Sequence, residues 1–332
     1  MRILLTGGTG YIGSHTALSL LEAGHEPILL DNFSNSLPSV AEALEAISGR
    51  PLTLISGDVR DLPLLRSVLG SARIDAVIHF AAVKSVAESV TDPLSYHANN
   101  VGGTLTLLEA MEAERVRSIV FSSSATVYGE PQRLPIDEEH PTGPVNPYGQ
   151  TKLICENILS DLARGGSGWR VSLLRYFNPV GAHPSGLIGE NPTGVPNNLM
   201  PLVTRVARGE MDCLQVYGTD YPTPDGTAVR DYIHVVDLAE GHVAALEALE
   251  GGDSLQLYNL GTGHGTSVKE LISAFEQATN VRLPYAAADR RPGDVAAMYA
   301  EAKKAQAQLN WRATRNIAEM CADSWRYAKG KV

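Results

Sequence analysis

An apolar run from Arg2 to Thr6 leads straight into Gly7-Gly8-Thr9-Gly10-Tyr11-Ile12-Gly13, and an amphipathic stretch over 11–23 follows. A strand, a glycine turn and a helix in immediate succession leave few folds open. Gly7, Gly10 and Gly13 suit a tight turn, close backbone approach to a pyrophosphate and packing of helix on strand, and the helix N-terminus favours the negative charge. A second apolar run, Glu26 to Asp31, ends in a carboxylate 18 positions after Gly13. An acidic residue there accepts hydrogen bonds from an adenosine ribose. It would repel a 2′-phosphate, so the turn predicts NAD rather than NADP.

Further short apolar runs, at Leu52 to Ser56, Ala76 to Phe80, Ser118 to Ser123 and Val171 to Arg175, alternate with helical patterns at 61–70, 93–113 and 147–164. Such alternation predicts an α/β fold, a Rossmann-type doubly wound parallel sheet. After Tyr176, Pro and Gly become dense from Pro179 to Pro201 and again from Tyr221 to Gly226. Regular patterns resume at 198–208, 235–250, 268–279 and 315–328, which predicts an NAD-binding domain over 1–176. A smaller C-terminal substrate-binding lobe over 177–332 follows, with some segments free to return to the sheet.

Among 332 residues, 37 acidic against 27 basic side chains give a formal charge of −10, which opposes nucleic-acid and anionic-membrane surfaces. Cys155, Cys213 and Cys321 are far apart and lack metal-type spacing. The expectation is no metal, a reducing compartment and a cytoplasmic location. The strand-like start leaves no room for a secretory signal, and no stretch approaches 18 consecutive apolar residues.

Tyr148-xxx-Lys152 places a phenol and an ammonium on one helix face, where the cation can lower the phenol's pKa. Tyr299-xxx-Lys303 and Tyr327-xxx-Lys331 share the spacing. Only Tyr148 begins a helix soon after the Ser122-Ser123-Ser124 strand end, where ligands of such sheets bind. Ser124, Tyr148 and Lys152 are therefore the expected catalytic residues, and with Ser122 they are also expected to contact the cofactor. Asp58-Val59 closes the third strand and would flank an adenine, or Asp58 would cap the 61–70 helix. His79, within an apolar strand, reads as a structural histidine.

TGGTGYIGSH, HFAAVKSVAES, NNVGGT, SSSATVYG, PYGQTK, LRYFNPVGAHPSG, PNNLMP, VRDYIHVVDLA and YNLGTG, spread from residue 6 to beyond 260, resemble the UDP-glucose 4-epimerase family within the extended short-chain dehydrogenases/reductases. The resemblance implies transient oxidation at C4 of a UDP-hexose by tightly held NAD, turning of the 4-keto sugar and re-reduction, interconverting UDP-galactose and UDP-glucose. It implies that Tyr148 is the base, that Lys152 holds the nicotinamide ribose, and that Ser124 positions the 4-oxygen.

The same resemblance sets Tyr11, Ile12, Asn32, Phe33, Ser34, Asn35, Ser36, Phe80, Ala81, Ala82, Val83, Lys84, Asn99 and Phe177 along the dinucleotide. Lys84 would neutralise its phosphates or be a solvated lysine; Phe177 would pack beside the nicotinamide or join the core. Asn178, Asn198 and Leu199 would meet the UDP-sugar, Arg230 and Arg291 its pyrophosphate, Asp294 its ribose and Tyr217 its uracil. Without the resemblance the two arginines would read as surface ion pairs.

Related dehydratases and decarboxylases carry a carboxylate before Val-Tyr-Gly, where this chain has Ala125 and Thr126. Met298 stands where some relatives have Tyr and others a smaller residue, so it sets the size of sugar admitted, with Tyr299 the alternative if the alignment slips by one. The resemblance also implies a homodimer formed through 93–113 and 147–164. The rival readings are another nucleotide-sugar epimerase, dehydrogenase or dehydratase of the same family, and a non-catalytic NAD-binding sensor.

Overall fold

The computed structural model describes residues 1–192, 194, 196, 198–291 and 293–330. The runs read as strands form one parallel sheet, β1 (Arg2–Thr6), β2 (Glu26–Asp31), β3 (Thr53–Ser56), β4 (Ala76–His79), β5 (Ser118–Ser124) and β6 (Arg170–Tyr176), joined by a strand that the runs did not mark, β7 (Leu255–Leu260). Their order is β7-β6-β5-β4-β1-β2-β3. Because successive side chains point to opposite faces, each strand feeds two cores. Ile3, Leu5, Leu29, Val120 and Leu174 pack on one face. Leu4, Ile28, Leu30, Ile119, Phe121 and Leu173 pack on the other. Burying each such side chain stabilises the fold by about 1.5–3 kcal/mol.

The flanking helices are α1 (Tyr11–Glu22), α2 (Ser39–Ser48), α3 (Leu62–Ser71), α4 (Gly103–Ala113) and α5 (Pro147–Arg164). Two features depart from expectation. The helix expected over 93–113 is broken: short helices at Val86–Thr91 and Pro93–Tyr96 lead into a π turn at His97–Gly102 before α4. Asp92 caps the Pro93 helix and Pro93 opens it, while Asn100, inside the π turn, bonds both backbone groups of Val83 and the Thr151 hydroxyl. Wide turns of this kind cluster where a side chain must leave the regular ladder. The other departure is α2, which the sequence did not announce because Pro38 stands at its cap position without a side-chain bond.

The C-terminal segments divide between two places. β7 pairs with β6, and α7 (Val235–Ala248) lies in the core that covers α1 through Leu238, Val243 and Leu246. Helices α6 (Leu199–Ala207), α8 (Val268–Thr279) and α9 (Ile317–Lys329) build a separate core with Val203, Leu271, Phe275 and Met320. The segment 235–250, grouped by its pattern with the lobe, thus belongs to the sheet.

Candidate active site

The glycine turn follows β1 as expected. Gly7 has φ +71°, and a Cβ there would lie 2.9 Å from the Ala81 nitrogen; at Gly13 it would strike the Gly7 carbonyl. Only glycine permits both the left-handed conformation and the approach. Gly10 is the N-cap of α1 and contributes no side-chain acceptor, so the first N–H groups of the helix face the turn. This cradle fits a dinucleotide pyrophosphate. Ile12 packs into the core beneath it, and Tyr11 donates its hydroxyl proton to the Gly181 carbonyl at 2.7 Å, tying the turn to the second lobe.

Asp31 ends β2 and accepts from Thr9 N–H, Phe33 N–H and the Ser36 hydroxyl at 2.9–3.1 Å. A carboxylate has about four acceptor positions, so one remains for a ribose hydroxyl. The loop 32–36 folds around it: Phe33 has φ +58° and Ser34 N–H donates to Asn32, with the exposed Asn35 next to the buried Ser36. Asn32 also bonds Asp58, which Arg60 holds with both its side chain and its backbone N–H. That pairing keeps the Asp58 carboxyl well below the usual range. The cap of α3 is Asp61, not Asp58, and Val59 is buried against Gly103, so it can offer a ligand only its backbone.

Phe80 to Lys84 leave the end of β4. The Phe80 ring packs at a tilt against His242, with centroids 4.8 Å apart, and the Ala81 backbone lies against Gly7 of the glycine turn, with Ala82 and Val83 following it. Asn99 donates to Asn100, which fixes Val83. Lys84 is exposed and pairs with Glu190 at 3.2 Å. His79 is bonded on both ring nitrogens, to Thr6 and Thr104, and burial brings its pKa down to about 3; it is structural and neutral.

Ser124 ends β5, and α5 begins with Asn146 capping the Gly149 N–H at 2.8 Å. The cap sets the helix so that Tyr148 and Lys152 face the strand end. Lys152, 4% exposed, donates to the Ser122 carbonyl at 2.7 Å with its ammonium 6.0 Å from the Tyr148 ring centre. Thr126 donates its hydroxyl proton to Ser124 Oγ at 3.0 Å, and the Ser122 hydroxyl bonds Tyr176. The three expected catalytic side chains therefore meet.

Their electrostatics differ from the simple expectation. Burial pushes the Tyr148 phenol up to about 12, and the relief comes from a hydrogen bond with Ser124, not from the lysine. Burial brings Lys152 down to about 8, opposed by Cys155 and Glu156.

Below this cluster lies a buried network that sequence reasoning did not single out. Glu156, one turn after Lys152, accepts from Ser123 and from Arg175, whose guanidinium stacks at 4.8 Å on Tyr128. Tyr128 in turn bonds Asn259 of β7 at 2.7 Å. The only clue was the spacing of Lys152 and Glu156 on one helix face.

Phe177 is buried with Ala125, Val127, Tyr128 and Ala300, and Met298 packs against that cluster. The Met298 strand pairs in register with Arg230. The Tyr299 ring instead lies beside Gly265, so of the two it is Met298 that packs against the Phe177 cluster. Asp294 gathers the arginines: Arg291 at 3.1 Å and Arg230 at 4.0 Å, with the Arg291 guanidinium 4.8 Å above the Tyr217 ring. Asn178 N–H donates to the Asp231 carbonyl. The fully buried Asp231 carboxylate, given no role before, ties Thr262, Gly263 and Ala300 to this strand.

Asn198 occupies the N-cap position of α6 without a side-chain cap bond, with Leu199 the first residue of the helix, and donates to Glu190 at 2.7 Å. Asn197 of the PNNLMP motif lies outside the described residues. Tyr299 precedes the short helix Lys303–Leu309, so that pair shares no helix; Lys331 of the third pair is outside the described residues. Among the described residues no group of three or more His, Cys, Asp or Glu side chains could hold a metal.

The chain matches the family described as GDP-mannose 4,6 dehydratase over residues 4–324. It is 55% identical to UDP-glucose 4-epimerase of Bacillus subtilis (strain 168), across all of this chain and 98% of the relative. Among solved structures, UDP-glucose 4-epimerase from Bifidobacterium longum in complex with NAD+ and UDP superposes with a TM-score of 0.96 at 52% identity, covering 100% of this chain and 99% of that one. The epimerase from Stenotrophomonas maltophila with bound NAD and formylated UDP-arabinopyranose gives 0.98 at 47% identity, over 99% and 98%. By its fold, its site and this similarity over its whole length, the chain belongs to the UDP-glucose 4-epimerase family of the extended short-chain dehydrogenases/reductases.

Proposed function

We propose that this chain interconverts UDP-galactose and UDP-glucose with NAD as a cofactor recycled in each turnover. One observation carries the reading: Ser124, Tyr148 and Lys152 meet at the end of β5, and the glycine cradle opens at the end of the nearby β1. NAD, when bound in the glycine cradle, would supply the hydride acceptor for oxidation at the sugar C4 and the hydride for its re-reduction. Tyr148 takes the 4-hydroxyl proton and later gives it back. Ser124, steadied by Thr126, aligns the 4-oxygen and donates to the phenolate.

Lys152, with one of its three donors spent on the Ser122 carbonyl, keeps two for the nicotinamide ribose and Tyr148. A phenol that burial holds near 12 becomes a base at neutral pH only with added positive charge. The ammonium, kept by its carbonyl anchor, and the oxidised cofactor supply that charge. Thr126 stands where the related dehydratases carry a carboxylate, so this chain lacks at that position the acid–base group that elimination uses. That favours re-reduction, despite the dehydratase description of the matched family.

The substrate must be gripped by its nucleotide so that the hexose can turn. Arg230 and Arg291 serve the pyrophosphate, Asp294 the ribose, Tyr217 the uracil, Asn178, Asn198 and Leu199 the UDP-sugar, and Met298 bounds the hexose pocket. Dimerisation and location belong to the same proposal. Leu94, 82% exposed, and Leu105, 48%, are exposed apolar side chains within 93–113, and that segment together with 147–164 would meet a second copy in a homodimer. Three free cysteines suit the cytoplasm, and no helix among the described residues is long and apolar enough to cross a membrane.

The test is to incubate the purified protein with UDP-galactose, without added cofactor, and to resolve the products by ion exchange. UDP-glucose at equilibrium supports the reading. No conversion, even with added NAD, removes it and favours a sensor or another nucleotide sugar.

A further inference from the structure

Glu190 has no part in the reaction as described, yet one oxygen of its carboxylate receives two donors that matter. Asn198 Nδ2 lies 2.7 Å from Glu190 Oε1, and Lys84 Nζ lies 3.2 Å from the same atom. The Glu190 side chain is only 10% exposed, held at the end of a turn whose base is the Ala182–Gly189 bridge and whose Ile188 is buried. Lys84 leaves the sheet beside the dinucleotide cradle, and Asn198 starts the lobe helix α6 on the nucleotide-sugar side.

Asparagine is among the strongest N-caps, its side-chain oxygen accepting from the second or third N–H of the helix. Asn198 occupies the cap position of α6 but makes no side-chain cap bond. Its amide is turned to Glu190 instead. Pro201 at the third position has no N–H, so a released Asn198 would cap the Met200 N–H, covering the helix start that the substrate is to meet. Glu190 thus withholds a cap, leaving a ready anion-facing helix start. It also restrains Lys84 while leaving the ammonium two donors for phosphate.

We propose that Glu190 is a positioning residue that joins the two ligand sites: it holds Asn198 off its helix cap for the nucleotide sugar and Lys84 beside the dinucleotide phosphates. The inference rests on the epimerase reading for the identity of both ligands. Neither contact involves the reacting atoms, so Glu190 acts on affinity and not on the chemical step.

Holoenzyme carrying Glu190→Ala or Glu190→Gln is compared with wild type for the UDP dissociation constant by calorimetry, NAD retained through gel filtration, kcat and KM for UDP-galactose, and thermal midpoint. Glu190→Ala is expected to weaken UDP about tenfold, from the loss of one hydrogen bond to a charged group. KM rises in step, kcat stays within about threefold, and the thermal midpoint holds or rises as Asn198 caps α6. Glu190→Gln keeps an acceptor for Asn198 but no charge for Lys84. It is expected to hold UDP within about threefold of wild type while losing NAD faster.

UDP binding by Glu190→Ala within twofold of wild type overturns the proposal. So does a fall in kcat at unchanged KM, or a glutamine variant no better than alanine. Should the alanine variant fail to fold, the glutamine variant decides by its NAD loss. Failure of the epimerase reading looks different, because wild type itself would then neither bind UDP nor turn over.

Discussion

The two halves of the proposed site are built differently. At the end of β5, Ser124 and Lys152 are buried, each fixed by a partner in the same sheet-and-helix unit: Lys152 by the Ser122 carbonyl and Ser124 by Thr126. Across the cleft, Arg291 and Tyr217 are exposed and Arg230 and Asp294 half-buried, and the charged groups bond mainly one another. Proton transfer needs a fixed geometry, and a base 1 Å out of place loses much of its effect. Binding a nucleotide that must arrive and leave needs groups that can exchange one ionic partner for another. The division matches a reaction in which the nucleotide is held while the sugar turns.

Substitutions on the two sides should therefore fail in different ways. Lys152→Met should lower kcat by about 10²–10⁴-fold, the range for a lost acid–base function, with UDP affinity within about threefold by calorimetry. Arg230→Ala should do the reverse, weakening UDP about 10- to 100-fold, as expected for the loss of hydrogen bonds to a charged ligand, with kcat at saturation within a few-fold.

Ser124→Ala should lower kcat about tenfold and move the pH profile. Tyr148 must be ionised to act, and the Ser124 hydrogen bond lowers a phenol that burial raises. Removing that bond raises the pKa, so activity is lost at a higher pH as pH falls. A limb that stays put or moves down would mean that Ser124 acts only in positioning.

The smallest effect is at Met298, packed against the Phe177 cluster. Met298→Ala should raise the relative kcat/KM for UDP-N-acetylgalactosamine over UDP-galactose by about 5- to 10-fold, the scale of a few methylenes in a pocket.

The catalytic side was the more legible in the sequence because its signals are local. Gly7 to Gly13 lie within one turn, Tyr148 and Lys152 within one helix turn, and Asn146 announces that helix as its cap. The other half depends on contacts that no local pattern records. Glu190 meets Lys84 across 106 positions, Arg291 leans on Tyr217, and Asp231 bonds Ala300 across 69. These residues were reached through family resemblance, or not at all in the cases of Glu190 and Asp231.

The fold has the same division. β1 to β6 were read from their runs, whereas Leu255–Leu260 reaches the sheet only by pairing with β6, after a long excursion through the lobe. The break at 92–102 follows from Asn100 bonding Val83 and Thr151. Periodicity within 93–113 reports the helix, and nothing in it reports the tether.

The most direct test of this separation of chemistry from grip is a crossed pair of measurements on Tyr148→Phe and Arg291→Ala: UDP affinity by calorimetry and kcat for UDP-galactose. The account predicts that Tyr148→Phe binds UDP within about twofold of wild type while turnover falls by about 10²–10⁴-fold. Arg291→Ala should bind UDP about 10- to 100-fold more weakly yet approach wild-type kcat at saturation. Loss of UDP affinity in Tyr148→Phe, or loss of kcat without loss of affinity in Arg291→Ala, would contradict it.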